Sequence, residues 1–182
     1  EEAAAMIHEG SNALMESLWT GKIIDLLGQG LDDLRQGILR TPRDPLLTFT
    51  DDPLRMLRAV RFKHRFGLTY APGLEQAIRQ KAGECRHLSH ERIRDELTKM
   101  ILHPSASDAL EDLRRFGLLE VFAPELAAMK GVEQGGAHHL DVWDHSLLTL
   151  KMAKTQDPTL AFACLLHDIG KPSTRSVEAD GR

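Results

Sequence analysis

The chain has 182 residues, with 23 Lys and Arg, 27 Asp and Glu and 9 His, for a formal charge of −4 at neutral pH. That balance excludes nucleic-acid binding through overall basic charge, so any RNA contact has to use a local basic surface. With 42% hydrophobic and 27% charged residues the composition is that of a folded chain rather than a disordered one, and no apolar run reaches the ~18 residues of a membrane span.

In chain order, Lys22 to Leu26 reads as a short strand, the single β remnant expected in an otherwise all-α chain. Thr41 to Thr50 has two prolines and no period and reads as a linker. Helices are expected at Pro53–Phe66, Leu74–Ala82 and His90–Leu102. Pro72 and Gly73 separate the first two, and Ser89 caps the third. Ile93, Leu97, Met100 and Ile101 give that third helix a core stripe. A further helix over Asp108–Phe116 is capped by Ser105 or Ser107 and closes at Gly117. Pro124 and the Gly-rich run 131–137 mark a boundary. Two helices follow, Val142–Lys154 and Pro158–Ile169, the second opened by the N-cap and proline pair Asp157-Pro158. The two cysteines, Cys85 and Cys164, form no metal or disulfide pattern, which points to a reducing, cytoplasmic setting.

Chemistry concentrates in Asp51 to Phe62, DDPLRMLRAVRF. At ~100° per residue Arg55, Arg58, Arg61 and Arg65 fall within about a third of the helix circumference, with Met56, Leu57, Ala59 and Val60 opposite. One face then suits the core and the other suits phosphate. Asp52 and Arg55 lie three residues apart at the helix start. A carboxylate only accepts hydrogen bonds and a guanidinium only donates them. Cytosine and adenine present an amine beside a ring nitrogen, which such a pair matches. Guanine and uracil present a carbonyl beside an N–H, which it opposes. On spacing alone, an ordinary surface ion pair at a helix N-terminus is the favoured explanation.

The motif DDPLRMLRAVRF resembles the Glu-Asp-x-x-Arg motif of the class II, bacterial-type tRNA nucleotidyltransferases, the CCA-adding enzymes and their poly(A) polymerase relatives. The resemblance implies that Asp52 and Arg55 read the nucleotide base, with Asp51 standing where the family has Glu. Two further segments agree. Gly28 to Arg40 is similar to the family's junction between catalytic head and helical neck, with Asp33, Gly37 and Arg40 at its marked positions. Leu88 to Leu102 is similar to its Arg-x-x-x-Glu helix, where Arg92 and Glu96 are expected to form a pair within that helix. The resemblance, taken with the basic face of this helix, gives an expected nucleotide-binding set of Asp33, Arg40, Asp52, Arg55, Arg58 and Arg61, and RNA contacts from Lys63 and Arg65. It further implies CTP, ATP and tRNA as partners and Mg²⁺ as cofactor of the head. The head's Gly-rich segment and paired aspartates are not found in this sequence. Asn12-Ala13-Leu14 resembles the tail of a head motif whose preceding residues here read MIHEGS. The chain therefore reads as part of a larger enzyme and is expected not to transfer nucleotides by itself.

A second signature lies near the end, where HHLDVWDHSLLTL, His138 to Leu150, precedes CLLHDIGKP, Cys164 to Pro172. Adjacent ionisable residues at the end of an apolar helix are costly unless paired or metal-bound. Imidazole and carboxylate together suit a divalent transition metal. The segment resembles the start of the HD superfamily of metal-dependent phosphohydrolases. That resemblance implies metal ligation by His145, His167 and Asp168 and a phosphate contact from Lys171. The family's last aspartate lies further downstream than Asp180, and His138 and His139 read as surface residues. The expected architecture is a head remnant over 1–40, a helical neck and body over 41–127 that selects nucleotides and binds tRNA, and the start of an HD domain over 128–182. Three functions follow: the selecting and RNA-binding part of a tRNA nucleotidyltransferase, an HD phosphohydrolase acting on phosphomonoesters or 2′,3′-cyclic phosphates, or a non-catalytic RNA-binding module. Neither a choice among CCA, CC, A and poly(A) addition nor an oligomeric state is legible in these motifs.

Overall fold

The computed structural model describes residues 14–16, 23–25, 28–133 and 139–174. The expectations for residues 1–13, for His138 and for Asp180 lie outside these described residues. Strand β1 (Leu14–Glu16) pairs antiparallel with β2 (Ile23–Asp25), the strand expected at Lys22–Leu26. The described residues after it are mainly helical, as expected.

Helix α1 (Gly30–Gln36) ends at Gly37, whose left-handed backbone (φ 67°) returns its N–H to the Asp33 and Leu34 carbonyls. Glycine adopts that conformation without a Cβ penalty, so the chain turns sharply into β3 (Ile38–Leu39). β3 pairs parallel with β4 (Thr69–Tyr70), a second small sheet that the sequence reading missed. Two residues per strand are too few for an alternating pattern to register.

The linker reading of Thr41–Thr50 is corrected. Helix α2 (Pro45–Asp51) occupies most of it. Asp44 caps the helix by accepting from the Leu47 N–H at 3.1 Å, and Pro45 takes the first helical position, where its missing N–H costs nothing. Thr48 and Phe49 are buried.

Helix α3 (Leu54–Arg65) is the centre of the body. It packs on α5 (His90–Ile101) and α6 (Ala106–Arg115), while α4 (Leu74–Lys81) packs on α2. A 3₁₀ segment, Ala82–His87, joins α4 to the Ser89 cap of α5. Met56, Leu57 and Val60 of α3 are buried with Ile78, Met100, Leu110 and Leu113 in one continuous core. That core extends through two one-turn helices, α7 (Leu119–Phe122) and α8 (Pro124–Ala127), to Trp143 on α9 (Val142–Ala153). α9 is capped by Asp141, and α10 (Pro158–Leu166) by Asp157. α10 packs along α9, and a short turn of helix, α11 (Lys171–Thr174), follows. No helix among the described residues is long and apolar enough to cross a membrane.

Candidate functional site: a cavity at the start of α3

The turn from α1 into β3, the inner side of α2 and the first two turns of α3 enclose a cavity of about 300 Å³. Its walls bring together Asp33, Arg40, Asp52, Arg55 and Arg58, five of the six residues expected to bind nucleotide. Phe49, Phe62 and Leu39 supply apolar wall between them.

Asp52 ends α2 and precedes Pro53, so its side chain sits at the corner between α2 and α3. Its Oδ1 accepts from the Leu54 N–H at 3.2 Å. Arg55 follows one turn later. Among the described residues, no side-chain hydrogen bond or ion pair engages its guanidinium. An open set of donors on a cavity wall is unusual, since guanidinium groups with partners to hand take them. Across the cavity Arg40 grips Asp33 with two hydrogen bonds, at 2.7 and 3.2 Å, which raise the Arg40 pKa and fix the wall. Arg58 lies with its guanidinium 5.6 Å from the centre of the Phe62 ring. Asp51 is exposed and pairs with Arg43 at 2.7 Å, on α2 rather than at the corner that holds Asp52.

Three expectations are corrected. Arg61 does not share the open face. It is 4% exposed and donates to Glu96 of α5 at 2.7 Å. On the helical wheel it lies only about 40° from buried Leu57, at the edge of the arginine arc, and α5 closes over that edge. Lys63 also turns inward, onto Asp112 of α6 at 3.0 Å, whereas Arg65 is exposed. Finally, Arg92 and Glu96 do not pair with each other. Glu96 takes Arg61, and Arg92 donates from one Nη2 to both oxygens of Asp52, at 3.0 and 3.1 Å. Arg92 is the residue next to the cavity that sequence reasoning missed. The signal was present in the i, i+4 spacing, but helical spacing cannot say whether two charges meet each other or a neighbouring helix.

A second cluster stands where α9 meets the end of α10. Ligand atoms of His145, His167 and Asp168 all lie within 4.8 Å of one another. His167 Nε2 is 3.1 Å and His145 Nε2 3.8 Å from Asp168 Oδ2, and the imidazole rings are 5.2 Å apart. His167 Nδ1 donates to the Cys164 carbonyl at 2.9 Å, which leaves Nε2 of the neutral ring as an acceptor directed at the cluster. Burial pushes the Asp168 carboxyl up, but Lys171 at 2.7 Å and the neighbouring histidines outweigh it and hold it below the usual range. Lys171, expected to meet a phosphate, rests on Asp168 instead. Two imidazoles and a carboxylate fit a divalent transition metal as part of a larger ligand set.

Residues 67–130 match the family described as "Probable RNA and SrmB- binding site of polymerase A". The chain is 39% identical over 168 residues to the A-adding tRNA nucleotidyltransferase of Deinococcus radiodurans, covering 87% of this chain and 38% of that protein. It is 36% identical over 176 residues to the CC-adding tRNA nucleotidyltransferase of Thermus thermophilus, covering 90% and 39%. The crystal structure of the Bacillus stearothermophilus CCA-adding enzyme in complex with CTP superimposes with a TM-score of 0.58 at 31% identity, over 92% of this chain and 47% of that one. The chain thus spans about two fifths of the length of these curated relatives.

Proposed function

We propose that this chain, which is similar over nearly all of its length to the class II tRNA nucleotidyltransferases, is the neck and body of such an enzyme and selects the nucleotide it adds. The parent reaction is addition of C, A or both to tRNA 3′ ends from CTP and ATP, with Mg²⁺ acting in the head. Residues 1–40 are the head junction, 41–127 the selecting and tRNA-binding body, and 128–182 the start of an HD domain. The observation that carries the reading is the convergence of Asp33, Arg40, Asp52, Arg55 and Arg58 on one cavity. Asp52 brings an acceptor and Arg55 uncommitted donors, the complement of the edge that C and A share. Arg58, on the same wall, suits phosphate, and exposed Arg65 suits the RNA backbone.

The test uses the protein encoded by the complete reading frame, with tRNA lacking its 3′ end. Asp52→Ala or Arg55→Ala should lower incorporation of C and A relative to G and U by roughly five- to 150-fold, because each unmatched group costs ~1–3 kcal/mol. Arg58→Ala should weaken all four nucleotides together. An unchanged ratio in both Asp52 and Arg55 variants assigns the pair to helix capping and ends this reading.

The second cluster supports an additional activity in the same polypeptide. His145, His167 and Asp168 would hold a divalent transition metal, which when bound supplies an activated water for phosphoester hydrolysis. His167 is already oriented for this by Cys164.

A further inference from the structure

We infer that Arg92 sets the orientation of the Asp52 carboxylate, so that α5 is part of the nucleotide selector although it contributes no wall to the cavity. This rests on the reading of Asp52 and Arg55 as the base-reading pair.

Hydrogen-bond capacity limits what Asp52 can offer a base. Each carboxylate oxygen has two acceptor sites. On Asp52, Oδ1 is filled by the Leu54 N–H and Arg92 Nη2, and Oδ2 takes one bond from the same Nη2. One acceptor site is left, on Oδ2. A carboxylate held by the Leu54 N–H alone could rotate about its last bond and offer either oxygen. Fixed by Arg92 it offers one acceptor in one direction. A base amine needs one acceptor, and the adjoining ring nitrogen needs the donor that Arg55 has to spare. Loss of the clamp restores a rotor whose two positions do not both serve a base pinned by Arg55.

The anchoring of Arg92 supports the same role. One turn along α5, Glu96 is bound to Arg61 of α3 with both side chains almost fully buried. α5 is therefore held at two points, with charges crossed: a base of α5 on Asp52 at the α2–α3 corner, and an acid of α5 on Arg61 of α3. The buried point fixes the register of the helices, and the half-exposed point, Arg92, projects from that fixed register to Asp52. A half-exposed pair adds little to stability, so orientation is what remains for it to provide.

The experiment compares Arg92→Gln, Arg92→Lys, Asp52→Ala and the double variant Asp52→Ala/Arg92→Gln in the complete protein. It reads the ratio of C and A to G and U incorporation, the KM for tRNA and the thermal midpoint. Arg92→Gln should lose about tenfold in the ratio with KM for tRNA and midpoint unchanged. Arg92→Lys should fall between it and the parent, since an ammonium keeps the charge on a freely rotating donor in place of a planar one. The double variant should be no worse than Asp52→Ala, because both remove one device. Full selectivity in Arg92→Gln alongside lost selectivity in Asp52→Ala overturns the inference and leaves the base-reading pair intact. Losses that multiply in the double variant overturn it too, because Arg92 would then act elsewhere. Full selectivity in Asp52→Ala overturns the base-reading pair itself.

Discussion

Asp112 is the acceptor on which a buried polar cluster depends, and its substitution gives a magnitude that the geometry constrains. The side chain, 6% exposed, accepts from His64 Nε2 at 2.7 Å, Lys63 at 3.0 Å, Arg115 at 3.1 Å and Tyr70 at 3.3 Å. Burial pushes its pKa up, but the hydrogen bonds from His64 and Lys63 prevail and hold it at about 2, against an ordinary value of 3.8. A folded-state pKa below the unfolded one contributes stability above the unfolded value, which is lost as pH falls through the folded value. The shift corresponds to about 2 kcal/mol at neutral pH. Asp112→Asn keeps the shape and removes the charge, so it should destabilise by about that much at pH 7. The gap to the parent should close between about pH 4 and pH 2 as the parent carboxylate takes up its proton. Asp112→Ala also strips the acceptor from His64 and Tyr70, while Lys63 and Arg115 reach water. At ~1–3 kcal/mol for each buried donor left unpaired, its total should be about 3–5 kcal/mol. Urea unfolding followed by circular dichroism over this pH range measures both. An Asn variant as stable as the parent at pH 7, or a gap that stays constant to pH 2, would refute the account.

The remaining predictions concern the ion pairs and the histidine cluster. Glu96→Ala should cost about 3–5 kcal/mol in the same unfolding assay, because it removes the carboxylate from an almost fully buried guanidinium, whereas Arg92→Ala on the same helix should cost less than about 1 kcal/mol. In calorimetric titration with Mn²⁺ or Ni²⁺ the parent should bind weakly through three ligands and His167→Ala should show no heat of binding; equal binding by both would remove His167 from the ligand set.

The long helices were legible because each announces itself chemically. Ser89 opens α5 and Asp157-Pro158 opens α10, where periodic apolar residues also follow. Helix α2 was missed since its cap, Asp44, is followed by a proline and a sequence too short for a period, and two prolines read as a break although one of them starts the helix. The β3–β4 pair depends on contact between distant segments, which no local pattern reports. At the cavity, residue types and the resemblance picked out five wall residues. The burial of Arg61 and the inward turn of Lys63 were not legible, because α5 and α6 decide which arginine or lysine of α3 meets solvent. A wheel shows a face; it does not show what lies against it.

The parallel pair between β3 and β4 bears on how this cavity wall can pass between related proteins. Thr69 and Ala71 donate to the Gly37 and Leu39 carbonyls, at 2.7 and 2.9 Å, and so join the two ends of a crossover containing α2 and α3. Most of the cavity wall, Arg40, Asp52, Arg55 and Arg58 included, lies within that closed stretch. An exchange between relatives with breakpoints at residues 38 and 70 would carry that part of the wall together and leave Asp33 behind. Arg92 lies beyond the second breakpoint. A recombinant that takes the stretch without its matching α5 leaves behind the Arg92 donor that holds the Asp52 carboxylate.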